Sequence, residues 1–190
     1  MLLLPGCKKQ KDMIAPLTIQ AVPSFITYNI LQGQHYSDKS SIRIFNGTEM
    51  NFRVKFDSSA IYKTMDPVNQ YDINKLFGFS DGDNHHKNSA RIGWGWNKNV
   101  LRLYAYVYSD SLRLMKEISP VAIGREIWCS ILVSRGEYLF TVDETRVALH
   151  RAVETPAAAG YWLYPYFGGD EVAPHNISIY MKEEKAISGH

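Results

Sequence analysis

Three stretches of the chain carry side chains that could do chemistry, and each presents them at alternating positions. Over residues 101–108, Leu101, Leu103, Ala105 and Val107 share one strand face, and Arg102, Tyr104, Tyr106 and Tyr108 share the other. If fully buried, that second face would take a guanidinium and three hydroxyls away from water, each needing a partner. The economical arrangement is a strand whose outer face lines a groove. Tyrosine rings stack on sugar C–H surfaces, their hydroxyls bond sugar oxygens, and an arginine pairs with a carboxylate or sulfate. The competing arrangement is a Tyr-rich strand stabilised by cross-strand ring pairs and covered by a loop.

The second stretch is SDGDNHHKNSAR, residues 80–91. Asp81, Asp83 and Asn84 resemble an oxygen-rich calcium loop, but the remaining ligands and distal Glu of an EF-hand are missing, so calcium is the one cofactor these oxygens suggest and no metal ligand set is assigned. His85 and His86 could supply one zinc ligand or a catalytic base, or border a groove from a polar loop. Adjacent residues on an extended segment face opposite ways, which argues against both gripping one metal. Arg91 then opens SARIGWGWN, where Ile92, Trp94 and Trp96 lie opposite Arg91, Gly93, Gly95 and Asn97. The glycines leave one bare face for something large to pack against.

The third stretch, 161–167, reads as a strand with Trp162, Tyr164 and Tyr166 on one face, followed by Gly168-Gly169. His175, after Pro174, is a candidate acid or base, or else a hydrogen-bonded corner. Arg53 and Lys55 alternate with Phe52, Val54 and Phe56 in NFRVKFD, either across the same front sheet or on a solvated convex face. The expected site therefore comprises His85, His86, Tyr106 and His175 as catalytic candidates. Arg53, Lys55, Arg91, Arg102, Tyr104, Tyr106, Tyr108, Trp162, Tyr164 and Tyr166 are the expected ligand contacts.

Composition limits what such a site can serve. The 190 residues are 45% hydrophobic and 21% charged, an ordinary globular balance that fits one domain with a sizeable core. Lys+Arg 21 against Asp+Glu 19 gives a net charge of +2, so the basic excess of a nucleic-acid binder is missing. With 2 cysteines there is neither a disulfide framework nor a cysteine-rich zinc module. Serine-nucleophile, phosphate-loop and dinucleotide motifs are absent, and GWGW lacks the Lys or third Gly of a nucleotide loop. The outlying quantity is aromatic content, 13% with 12 Tyr.

The elements that must hold these residues are short β-branched and aromatic runs separated by Gly, Asn, Asp, Ser and Pro. Lys98-Asn99 joins two alternating runs as a hairpin turn, and Arg135-Gly136-Glu137 and Asp143-Glu144 mark further turns. The single helical turn suggested is near 66–75 or in the N-terminal segment. Roughly ten or eleven strands at this spacing predict an all-β, two-sheet antiparallel β-sandwich or jelly roll.

REIWCSILVSRGEYLFTVDETRVALHR resembles the central strands of the concanavalin A-like lectin/glucanase superfamily, through Trp128, Ile131, Val133, Tyr138, Phe140, Val142 and Asp143. GYWLYPYFGGDEVAPHNISIYM is similar to that superfamily's closing strands, so the resemblance covers roughly residues 40–182. It implies a jelly roll that binds or processes polysaccharide. The strand with paired carboxylates that the glucanase branch uses is missing, which argues against glycoside hydrolysis. The Arg-rich, Gln-x-His and Tyr-Phe-Lys strands of the alginate-lyase branch are also absent in that form. A glycan-binding module, a uronate lyase and a structural or protein-binding sandwich all remain open.

The start, MLLLPGCKKQK, looks like the last part of a bacterial lipoprotein signal, with Cys7 as the lipidated residue, or else is a ragged terminus with one exposed Cys. The expected organisation is a truncated signal and tether over 1–25, the sandwich over 26–182 and a polar tail over 183–190, in a periplasmic or cell-surface setting. No apolar run reaches the ~18 residues of a membrane span, and Cys129, within IWCSILV, reads as an inert core residue.

Overall fold

A computed structural model describes residues 24–185. The strands are β1 (Ile26–Ile30), β2 (Ile44–Gly47), β3 (Glu49–Phe56), β4 (Asn74–Ser80), β5 (Ser89–Asn97) and β6 (Val100–Ser109). They continue with β7 (Leu112–Val121), β8 (Glu126–Ser134), β9 (Glu137–Val142), β10 (Thr145–His150), β11 (Ala158–Leu163) and β12 (Ile177–Glu184). Two six-stranded antiparallel sheets result, in the orders β1-β12-β3-β8-β9-β10 and β2-β11-β4-β5-β6-β7. We call them the back and front sheets.

Alternation decides which side chains enter the space between the sheets. Phe52, Val54 and Phe56 of β3 meet Phe77 of β4 and Trp94 of β5, with Phe52–Phe77 ring centroids 5.3 Å apart and Phe56–Trp94 5.4 Å apart. On β6, Leu101, Leu103, Ala105 and Val107 are all buried in this core, as is Cys129 of β8, whose thiol pKa burial pushes up. The β5–β6 hairpin turns through Lys98 and Asn99 at φ 50° and 59°, and β6–β7 through Asp110 and Ser111 at φ 49° and 67°. Paired left-handed residues give the turn twist that matches right-twisted strands.

The helical turn expected near 66–75 is a 3-10 segment, Pro67–Tyr71, capped by the Asp66 side chain on the Val68 amide. The chain after it crosses the outer face of the front sheet and fills the bare glycine face. A Cβ on Gly93 would sit 2.4 Å from Ile73 Cγ2, and one on Gly95 would sit 3.6 Å from the Asp72 carbonyl. One boundary differs from expectation. Residues 183 and 184, expected in a polar tail, belong to β12, because they pair with Phe52 and Asn51 of β3, and their carboxylates accept from Arg43 at 2.5 Å and from Arg53 at 3.0 Å. Cys7 and residues 186–190 of the expected tail lie outside the described residues.

Candidate functional site

The outer face of the front sheet holds a cavity of about 460 Å³. Arg91 of β5, Tyr106 and Tyr108 of β6, Lys75 of β4 and Leu163 of β11 come to it from the sheet. His85 and His86 enter from the β4–β5 loop, Tyr166, Gly168 and Gly169 from the segment after β11, and Tyr36 from the β1–β2 connection. Arg91, Tyr106 and Tyr108 face outward by plain alternation. Lys75 does so only because the β4–β5 register shifts between Lys75 and Phe77. Lys75 therefore pairs with outward Gly93, whereas Phe77 pairs with inward Ile92.

The charges in this cavity are all of one sign. Arg91 is 8% exposed, and its Nε is buried without a hydrogen-bond partner. Burial pushes the guanidinium pKa down to about 10. Lys75 Nζ donates to the Gly168 carbonyl at 2.7 Å and lies 5.1 Å from the Tyr106 ring centroid and 5.6 Å from that of Tyr166. Burial, then repulsion from Arg91, brings its pKa down to about 8. No Asp or Glu lines the cavity, and neither cation forms an ion pair with a described carboxylate. Asp72 acts on Lys75 from outside the cavity lining, but two desolvated cations with no ion-paired carboxylate are costly to keep, and an incoming anion would relieve that cost.

Beside the cations sits a hydrogen-bonded histidine–tyrosine pair. His85 Nδ1 lies 2.7 Å from the Tyr161 hydroxyl, and burial followed by Arg91 lowers the imidazole pKa to about 4. The ring is therefore neutral at ordinary pH. The Tyr106 phenol is pushed up to about 12, by burial first and then by Tyr108, so it keeps its proton. His86 stands over Tyr108 edge to face, with ring centroids 5.4 Å apart. The arrangement offers a seat for an anion, aromatic faces, one neutral imidazole and phenolic donors.

The structure brings together His85, His86, Arg91, Tyr106, Tyr108 and Tyr166 from the expected site. Trp162 and Tyr164 also border the cavity, but their rings turn toward the core. Trp162 meets Phe77 at 5.2 Å under the Arg43 guanidinium, and Tyr164 meets Phe77 at 5.7 Å. Arg102 and Tyr104 face the same way as Tyr106 but lie outside this cavity. Arg102 is bonded to Asn97 and Glu117, and Tyr104 accepts from Asn97. His175 Nε2 is 2.8 Å from the Ser59 carbonyl and borders a different cavity with Tyr62 and Trp96. Arg53 and Lys55 sit on the back sheet, where Arg53 pairs with Glu126 and Glu184.

Tyr36, Lys75 and Tyr161 are the contributors that alternation did not single out. Tyr161 faces His85 because β11 turns the Trp162 face to the core and the Tyr161 face outward, and 161–167 is not one strand: β11 ends at Leu163, and Tyr166 bridges to Lys75 instead. Asp81, read as a calcium-loop oxygen, is buried and accepts from Tyr138 and Arg151. Among the described residues no three His, Cys, Asp or Glu cluster as a metal site.

No protein-family model and no curated protein matches the sequence. Solved structures do match. LamAcat from Zobellia galactanivorans aligns at TM-score 0.51 and 12% identity, over 85% of this chain and 77% of its own. The GH16 protein of a mixed linkage glucan PUL of Bacteroides ovatus aligns at TM-score 0.52 and 10% identity, over 86% and 81%. The fold is the concanavalin A-like jelly roll. A functionally unknown protein from Saccharomyces cerevisiae shares the jelly roll at TM-score 0.52 and 12% identity, over 92% of this chain and 95% of that one. In this jelly roll the cavity occupies the outer face of the β2-β11-β4-β5-β6-β7 sheet.

Proposed function

We propose that the protein recognises an acidic polysaccharide outside the cytoplasm, seating a uronate carboxylate or sulfate of the chain against Arg91 and Lys75. The observation that carries this reading is the buried, unpartnered Arg91 Nε beside a desolvated Lys75 in a cavity without a carboxylate. Tyr106, Tyr108 and Tyr166 supply ring faces and hydroxyls around that seat, as sugar recognition requires. The jelly roll shared with a protein of a mixed linkage glucan PUL supports a glycan as the ligand class. The extracytoplasmic setting rests on the Cys7 motif, which would supply a lipid anchor at the periplasmic or cell-surface side.

A second reading, β-elimination on a uronate polymer, is favoured by the His85–Tyr161 pair. A neutral imidazole can take the proton next to a carboxylate whose charge Arg91 offsets. The electron pair left behind forms the C=C bond as the glycosidic C–O bond breaks, and a tyrosine hydroxyl protonates the departing oxygen.

Incubation with a panel of uronate and sulfated polymers, followed by ultraviolet absorbance of the unsaturated product, separates the two readings when run beside a glycan-retention assay. Retention on acidic polymers is expected. Retention without absorbance eliminates the lyase, and absorbance that disappears in His85→Gln supports it. Absence of retention on every acidic polymer overturns both.

A further inference from the structure

The His85–Tyr161 hydrogen bond joins two segments that are remote in sequence, and both are tied to one buried arginine. Arg151 is 0% exposed, and its Nε donates to Asp81 Oδ2 at 2.8 Å. Tyr138 donates to the same oxygen at 2.6 Å. Asp81 precedes His85 by four positions and closes the loop that carries it, since the Asp81 amide donates to the Asn88 carbonyl at 2.9 Å. Apart from an Nη1 contact of 3.4 Å with the Ser134 carbonyl at the end of β8, the other donors of Arg151 go to the chain leading into β11. Nη1 reaches the Thr155 carbonyl at 2.5 Å, and Nη2 reaches Thr155 Oγ1 at 3.0 Å and the Ala157 carbonyl at 3.3 Å. Ala157 precedes Tyr161 by four positions.

We infer that Arg151 is a positioning residue for the pocket, holding the root of the His85 loop and the root of β11 at once and so fixing His85 against Tyr161. This rests on the cavity being the ligand site. A planar fork with five donors can serve both segments together, which an apolar plug or a lysine cannot. A buried ion pair is weak evidence of stabilisation, so its division between these two segments is the informative feature. The segments also meet without slack. The Gly82 amide donates to the Ala159 carbonyl at 2.8 Å, and a Cβ on Gly160 would stand 2.2 Å from the Ser80 carbonyl oxygen. A small displacement of either root is therefore passed to the His85–Tyr161 contact.

Two variants test this, Arg151→Lys and the milder Thr155→Val, which removes a single acceptor of Arg151. Two quantities are read, the NMR titration midpoint of the His85 ring and the affinity for a defined oligouronate. In Arg151→Lys the His85 midpoint is expected to rise from about 4 toward that of a free imidazole as the ring leaves its buried position. Affinity is expected to fall on the order of tenfold. Thr155→Val is expected to shift both in the same direction by less, and it decides the matter if Arg151→Lys does not fold. A loss of thermal stability with an unchanged His85 midpoint and unchanged affinity in the folded variants overturns the inference. If the unaltered protein binds no oligouronate, the functional reading fails, while the His85 titration still decides the positioning role.

Discussion

Lys75 and Arg91 stand where folding alone would not place a charge. Burial lowers the Lys75 pKa from 10.5 to about 8, so its proton is held less tightly in the folded chain than in the unfolded one. The resulting cost is full below about pH 8 and is relieved as pH rises toward the unfolded value. Lys75→Met is therefore expected to raise stability at neutral pH by about 1–2 kcal/mol, as measured by chemical denaturation, while weakening capture of an anionic glycan. Affinity of the unaltered protein has a sign of its own. An anion prefers the protonated amine, so calorimetric affinity is expected to fall as pH rises through about 8. A flat profile there would remove Lys75 from the seat. At this scale the sequence was partly readable. Arg91 and Tyr106 follow from strict alternation, whereas Lys75 was hidden because it shares parity with core-facing Phe77 and Phe79, and a register shift reverses it.

At the scale of elements, close backbone approach shapes the pocket. β11 presses against the end of β4 and the start of the His85 loop at Gly160, where an added Cβ would meet backbone atoms of Ser80 and Gly82. At Gly93 the first atom met is the Ile73 Cγ2 methyl, the movable end of a side chain. Gly160→Ala is thus expected to cost about 1–3 kcal/mol in denaturation experiments and to weaken ligand binding. Gly93→Ala is expected to cost clearly less, and equal costs would show that the two approaches are alike in stiffness. Strand boundaries were the least readable elements. An unbroken strand over 161–167 puts Trp162, Tyr164 and Tyr166 on one face, but that face is the core face for Trp162 and Tyr164, which leaves Tyr161 toward the pocket, and the end of β11 at Leu163 frees Tyr166 to reach the cavity. The bare face of GWGW announced a packing partner, but only tertiary structure shows it to be the chain at 72–74.

For the whole molecule, the two-sheet sandwich was readable from β3 onward, since alternation and turn residues act locally, whereas the short strands β1 and β2 were not picked out. The placement of Arg53 and Lys55 was not. Alternation says that a residue faces outward but not on which of the two sheets, and pairing of β3 with β12 and β8 puts these two on the sheet away from the pocket. The proposed anchor is a whole-molecule property too. When the chain is expressed in a bacterium with a lipoprotein export signal placed ahead of Cys7, it is expected to partition with membranes, and Cys7→Ser is expected to move it to the soluble fraction. The direct test of the central proposal is calorimetric titration with an oligouronate and with its carboxyl-reduced counterpart of equal length. The uronate is expected to bind at least about tenfold more tightly, with that difference abolished in Arg91→Met. Equal affinity for the two oligomers, or a preference that survives Arg91→Met, would contradict it.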